Sequence, residues 1–168
     1  FSTGATMASF ICLSAARSEV LNRVGYDLEQ DGLIGAPQIR VFVGREAHAT
    51  IHSALRYLGF GTQNLTSVES DDQGRMIAQD LADKLAQGQG PAIIIAQAGH
   101  IHSGAFDPFN EIVQIASEHD AWVHIDGAFG LWARAVPDLH TCCEGLEGAD
   151  SWSVDGHKWL QIPYDSGF

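Results

Sequence analysis

Positive charge is scarce in this chain: 9 Lys and Arg stand against 21 Asp and Glu in 168 residues, a formal net charge of −12. With no basic patch to neutralise phosphates, nucleic acids and anionic membrane surfaces are excluded as partners. No apolar run approaches the roughly 20 residues needed to span a membrane, and no signal-peptide pattern opens the sequence. Cysteine is limited to Cys12, Cys142 and Cys143. They show no CxxC spacing, so neither a disulfide framework nor a zinc ribbon is indicated, and a reducing cytoplasm is the expected compartment.

What is present is an alternation of helical and extended patterns. Residues 6–24 predict a helix with little polar face, covered by a sheet and its neighbours. Residues 25–38 read as a loop rich in Gly and Pro. Residues 39–43, 65–68, 92–96 and 122–125 read as strands, the third being the continuous apolar run of a sheet covered on both sides. Between them lie three helical patterns. The first follows His48 and repeats apolar residues at Ile51, Ala54, Leu55 and Leu58. The second spans 77–86, with Ile77, Leu81 and Leu85 on one face. The third spans 108–119, with Asp107 as N-cap, Pro108 in the first position and Phe109, Ile112, Val113 and Ala116 buried. The expected fold is α/β: a three-layer sandwich with a mostly parallel sheet, in one domain.

The most informative stretch is residues 151–159, Ser-Trp-Ser-Val-Asp-Gly-His-Lys-Trp. Lys158 is flanked by Trp152, Val154, Trp159, Leu160 and Ile162, which predicts a partly dry site. Desolvation disfavours an ammonium group, which prepares a lysine to form a Schiff base with a carbonyl. The plainer alternative is a lysine snorkelling from a strand end. Upstream, Asp126 closes the apolar run Trp-Val-His-Ile and precedes Gly127. A carboxylate at the carboxyl end of a strand sits where open α/β sheets bind ligands. Beside a Schiff-base lysine it suits a protonated pyridine nitrogen; alone, it reads as a turn or cap. Ala5 and Thr6 open the first helix after Gly4, where exposed N–H groups favour phosphate, although Thr-Gly there is also an ordinary cap.

These blocks resemble the group II pyridoxal-phosphate-dependent amino acid decarboxylases of fold type I. The matching segments are residues 2–6 (Ser-Thr-Gly-Ala-Thr), 46–48 (Glu-Ala-His), 98–107, 124–128 (His-Ile-Asp-Gly-Ala) and 155–159 (Asp-Gly-His-Lys-Trp), in the family's order. The resemblance implies that residues 1–168 are a partial cofactor-binding large domain. The family's N-terminal segment and small C-terminal domain then lie outside this chain, and the isolated chain turns over little or nothing.

The resemblance further implies pyridoxal 5'-phosphate as cofactor and decarboxylation of an L-amino acid through a Schiff base on Lys158. His48 would stack on the pyridine face opposite the small Ala128, and Asp126 would hold the ring nitrogen. Ala5, Thr6 and His157 would bind the phosphate, joined by Ser151, while Asp155 is read as structural. His100 stands where the family commonly carries small polar residues near the cofactor or substrate. The implied partners are a small amino acid substrate and a second subunit in a homodimer. Alternatives are a non-catalytic cofactor-binding paralogue, and another pyridoxal-phosphate-dependent lyase or aminotransferase. The His100-x-His102 pair also raises a metal-dependent hydrolase, but no third ligand is read from the sequence, and no metal is expected.

Overall fold

The computed structural model describes all of residues 1–168. Five strands form one sheet: β1 (Arg40–Gly44), β2 (Leu65–Val68), β3 (Ala92–Gln97), β4 (Trp122–Asp126) and β5 (Ser151–Ser153). Their order is β2-β1-β3-β4-β5 and every neighbouring pair is parallel. The run Ala-Ile-Ile-Ile-Ala of β3 is buried at every residue, as a strand covered on both faces requires.

Side chains alternate across the sheet. Val41, Val43, Ile93 and Ile95 pack against Leu13, Ala16 and Val20 of α1 (Ala5–Arg23) and Ile51, Ala54 and Leu55 of α3 (Ala49–Tyr57). Phe42, Ile94 and Ala96 turn the other way, toward α4 (Ala78–Leu85) and α5 (Phe109–Glu118). The result is a three-layer sandwich. From β1 the chain passes through α3 to β2, then returns through α4 to β3 on β1's other side. The loops leaving β1 and β3 therefore diverge to opposite faces. That reversal opens a crevice at the carboxyl ends of these strands, where ligands bind in such sheets.

Several expectations are corrected in detail. Helix α1 is covered on one side only: Met7 and Ile11 are 45% and 54% exposed, while Leu13 and Ala16 are fully buried. The loop 25–38 contains a one-turn helix, α2 (Leu28–Asp31), because the Asp27 carboxylate accepts the N–H groups of Glu29 and Gln30 at 3.0 and 3.1 Å. Ile77 precedes α4 rather than belonging to its buried face, which is Ala78, Leu81 and Leu85.

Asp107 does not cap α5; Pro108 holds that position. Its buried carboxylate instead accepts Met76 N–H at 2.8 Å and Gln97 N–H at 2.7 Å. It thereby ties the segment before α4 to the end of β3. No helix is long and apolar enough to cross a membrane.

Two buried titratable groups give the fold opposing pH dependences. Burial pushes the Asp107 carboxyl up from 3.8 to about 6, against the pull of its two N–H donors. Burial pushes His124, fully enclosed on β4, down from 6.5 to about 4. Stability changes with pH as the difference in protons bound by unfolded and folded states. Between 3.8 and about 6 the folded state holds the Asp107 proton more tightly, so this group's contribution is lost as pH rises. Between about 4 and 6.5 the unfolded state holds the His124 proton, so that contribution grows as pH rises. Removing Asp107 as Asp107→Asn leaves the His124 slope unopposed. Denaturant titrations across this window are expected to show a steeper gain in stability with pH than in the wild type.

Candidate active site

Four loops meet at the carboxyl ends of β1, β3, β4 and β5. After β1, residues 45–48 lead to His48, which is the N-cap of α3; its Nδ1 accepts Thr50 N–H at 3.3 Å. After β3, Gly99 adopts φ +82°, and a Cβ there would lie 2.8 Å from Gly130 Cα. At Gly130 a Cβ would lie 2.6 Å from the Ala98 carbonyl oxygen. Only glycines let these two loops pack together beneath the crevice. The pocket they enclose is lined by Glu46, His48 and Gln97 on one side, and by Asp126, Ala128, Phe129 and Lys158 on the other. Ala98, Gly99 and Ile101 complete it.

Asp126 is the last residue of β4 and only 5% exposed. Its Oδ1 accepts Ala128 N–H at 3.1 Å, which fixes the carboxylate's orientation. Burial raises its pKa above the ordinary aspartate value, opposed by that N–H and by the charges at Lys158 and His48. A carboxylate so placed is stabilised by any further cation or N–H donor brought against it.

Lys158 lies on α6 (Gly156–Trp159), a single turn after β5. A Cβ at Gly156 would lie 2.5 Å from Ile162 Cδ1 and would displace that side chain. Of the flanking residues that predicted a dry setting, Trp152, Trp159 and Leu160 are exposed, while Val154 is buried. Instead Nζ lies 3.1 Å from Asp155 Oδ2 and 5.5 Å from the centre of the Phe129 ring, with the side chain 28% exposed. This ion-paired, partly exposed setting is not the dry one expected from the sequence.

Asp155 is the residue whose importance the sequence did not reveal. Its Oδ1 accepts Ala5 N–H at 2.6 Å, so the first N–H of α1 is already taken. Thr6 stands exposed in the same first turn. The His157 ring stacks on Tyr164 at 4.3 Å, and its Nδ1 is buried without a hydrogen-bond partner, 3.6 Å from Asp155 Oδ1.

Not every expected residue joins this group. The Ser151 hydroxyl accepts from Trp122 Nε1 and lies 2.9 Å from His124 Nδ1, two register pairs back from the Asp126–Ser153 pair at the strands' carboxyl ends. It is engaged inside the sandwich, because the indole and imidazole converge there. His100 does not line the pocket; its Nδ1 faces the N–H groups of His102 and Ser103 at 3.4 Å, within a turn closed over Gly74. The His100 and His102 rings, read as strand neighbours, lie in that turn with centres 5.6 Å apart. No three His, Cys, Asp or Glu side chains converge on a common point in the chain. The structure thus brings His48, Asp126, Ala128 and Lys158 into one pocket, and Ala5 and His157 to Asp155 beside it. Gln97 and Phe129 are lining residues that only flank the recognised segments, while Glu46 and Ile101 lie within them with no role assigned from the sequence.

This arrangement has close counterparts. The profile of the pyridoxal-dependent decarboxylase conserved domain matches residues 1–168. The acidic amino acid decarboxylase GADL1 of Mus musculus is 32% identical, covering 95% of this chain and 29% of its own length. An aromatic-L-amino-acid decarboxylase of Bacillus atrophaeus is 30% identical, covering 99% of this chain and 33% of its own. The chain thus spans about a third of the length of the curated relatives it matches. A crystal structure of mouse CSAD superposes with a TM-score of 0.90 at 29% identity, over 99% of this chain and 35% of that one. Oryza sativa TDC, crystallised with PLP, gives 0.88 at 27% identity over 99% of this chain and 35% of its own. The sheet order, the strand-end pocket and the match along the whole sequence place this chain in the pyridoxal-dependent decarboxylase family.

Proposed function

We propose that the full-length protein carrying this chain is a pyridoxal-phosphate-dependent decarboxylase of an L-amino acid, and that Lys158 attaches the cofactor covalently. The observation that carries the proposal is a single pocket at the sheet's reversal point, lined by both the Lys158 amine and the buried Asp126 carboxylate. This donor set fits the cofactor. A buried, oriented carboxylate suits a pyridinium N–H, and a primary amine suits an aldehyde. The unpartnered Nδ1 of His157 beside the start of α1 suits a phosphate oxygen. When bound, pyridoxal phosphate supplies a cationic ring that draws electrons from the substrate's Cα–carboxylate bond.

The chain's own residues divide the remaining work. Asp126 Oδ2 is free of the Ala128 contact and would hold the proton of a pyridine nitrogen, at a depth where water does not compete. His48, fixed as the cap of α3, offers a flat imidazole to one ring face, and Ala128 leaves room on the other. Thr6 and the remaining N–H groups of α1's first turn receive the phosphate with His157. Orientation of the scissile bond decides which bond breaks. We read the chain as part of the large domain of a cytoplasmic homodimer. The exposed Met7 and Ile11 of α1 support a further covering surface, and the unpaired Cys12, Cys142 and Cys143 support a reducing compartment.

Borohydride reduction of the full-length protein with pyridoxal phosphate, followed by peptide mapping, tests the assignment. The label is expected on Lys158; a label on Lys84, or none, contradicts it. Asp126→Ala is expected to lower carbon dioxide release by about a hundredfold or more, the usual scale for a pre-organised electrostatic contact. Wild-type turnover in that variant would remove the role assigned to the carboxylate.

A further inference from the structure

The chain turns back over α6 as soon as that helix ends. Leu160 N–H bonds to the Gly156 carbonyl at 3.1 Å, and the next residue, Gln161, stands in the left-handed region at φ +52°. That region is costly for a residue with a Cβ, and glycine is the usual residue at such a helix end. The returning segment is then pinned at several points. Gly156 N–H donates to the Ser166 carbonyl and Ser166 N–H to the Tyr164 carbonyl, each at 2.7 Å. Val154 and Phe168 exchange a pair of backbone hydrogen bonds at 2.9 Å. This path lays the Tyr164 ring on the His157 ring, with centres 4.3 Å apart and planes 24° from parallel.

The imidazole depends on an outside support. A histidine's outer torsion is broad and roughly two-fold, so the side chain does not fix its own ring plane. Its Nδ1 is buried with no hydrogen-bond partner, and Asp155 Oδ1 lies 3.6 Å away, too far to bond it. The same Oδ1 accepts Ala5 N–H, which sets the imidazole beside the start of α1. Tyr164 is 73% exposed and joins neither core cluster, so core packing does not account for its placement. Its contact with His157 is face against face, which requires the ring and not the phenol hydroxyl.

We propose that Tyr164 is a positioning residue that acts through His157, holding the imidazole plane so that it meets the cofactor's phosphate beside the first turn of α1. This rests on the reading of His157 as a phosphate contact. A ring free to turn loses part of its hydrogen bond to the phosphate, because such bonds weaken steeply with misalignment.

The test titrates the full-length protein, freed of cofactor, with pyridoxal phosphate and separately with pyridoxal, which lacks the phosphate. Tyr164→Ala is expected to weaken pyridoxal phosphate binding about fivefold, within the range of a stacked aromatic pair. Its affinity for pyridoxal is expected to stay at the wild-type value. Tyr164→Phe keeps the stack and is expected to bind within about twofold of wild type. Tyr164→Leu, which keeps apolar bulk without a ring, gives the Ala result if the Ala protein does not fold. His157→Ala is expected to cost about tenfold or more, the scale of a hydrogen bond to a charged group. Adding Tyr164→Ala to that variant is expected to cost nothing further, since the two residues act as one unit.

A residue that only braces the segment after α6 would weaken both ligands alike, and that result overturns the proposal. So does a Tyr164→Phe protein as weak as Tyr164→Ala, an unchanged affinity in Tyr164→Ala, or a full additional loss in the His157→Ala background. Wild-type affinity in His157→Ala removes the phosphate contact itself, and this proposal with it. A loss in His157→Ala with none in Tyr164→Ala removes this proposal alone.

Discussion

A parallel sheet covered on both faces leaves its polar groups little freedom of place. The central strands β1 and β3 are apolar between their ends, because any unpaired polar atom between the helix layers carries a desolvation cost of about 1–3 kcal/mol. The strand ends are the first positions where that cost relaxes. Here β4 changes from Val123 and Ile125 to Asp126 at its final residue, and the loops after β1 and β3 diverge at the reversal in strand order. Asp126, His48 and Lys158 line one pocket because the strand ends are where the fold permits polar side chains to gather. The interior exceptions obey the same rule: His124 is kept neutral by burial beside Ser151 and Ser9, and Asp107 lends both carboxylate oxygens to backbone N–H groups.

The electrostatics of the site follow from an uneven distribution of partners. Asp126 has one N–H donor and a burial cost that raises its pKa, so it gains from a cationic ring. Asp155 is engaged by Ala5 N–H and Lys158 Nζ, with His157 Nδ1 3.6 Å away. One acid is thus left with unmet demand facing the pocket, and the other is spent on holding the chain's own groups in place.

Much of this was legible in the sequence. The continuous apolar run at 92–96, the i, i+3, i+4 repeats after His48, and the block order from residue 2 to residue 159 carried the fold and the pocket's principal residues. What failed did so for identifiable reasons. Asp107 before Pro108 has the local pattern of a helix cap, but two backbone amides distant in sequence claim its carboxylate. Ser151 sits in a recognised motif, yet its strand register turns the hydroxyl toward His124. The tryptophans flanking Lys158 in sequence are exposed, while Asp155 and Phe129 provide contacts to its Nζ. The link from Asp155 to Ala5 joins residues 150 apart, and no local pattern carries such a contact.

The central claim is that Lys158 and Asp126 belong to one cofactor site. A crystal structure of the full-length protein saturated with pyridoxal phosphate tests it most directly. The account predicts unbroken density from Lys158 Nζ to the cofactor, with the ring nitrogen within hydrogen-bond distance of the Asp126 carboxylate. Cofactor bound at another lysine, or on Lys158 with its ring nitrogen away from Asp126, would contradict it.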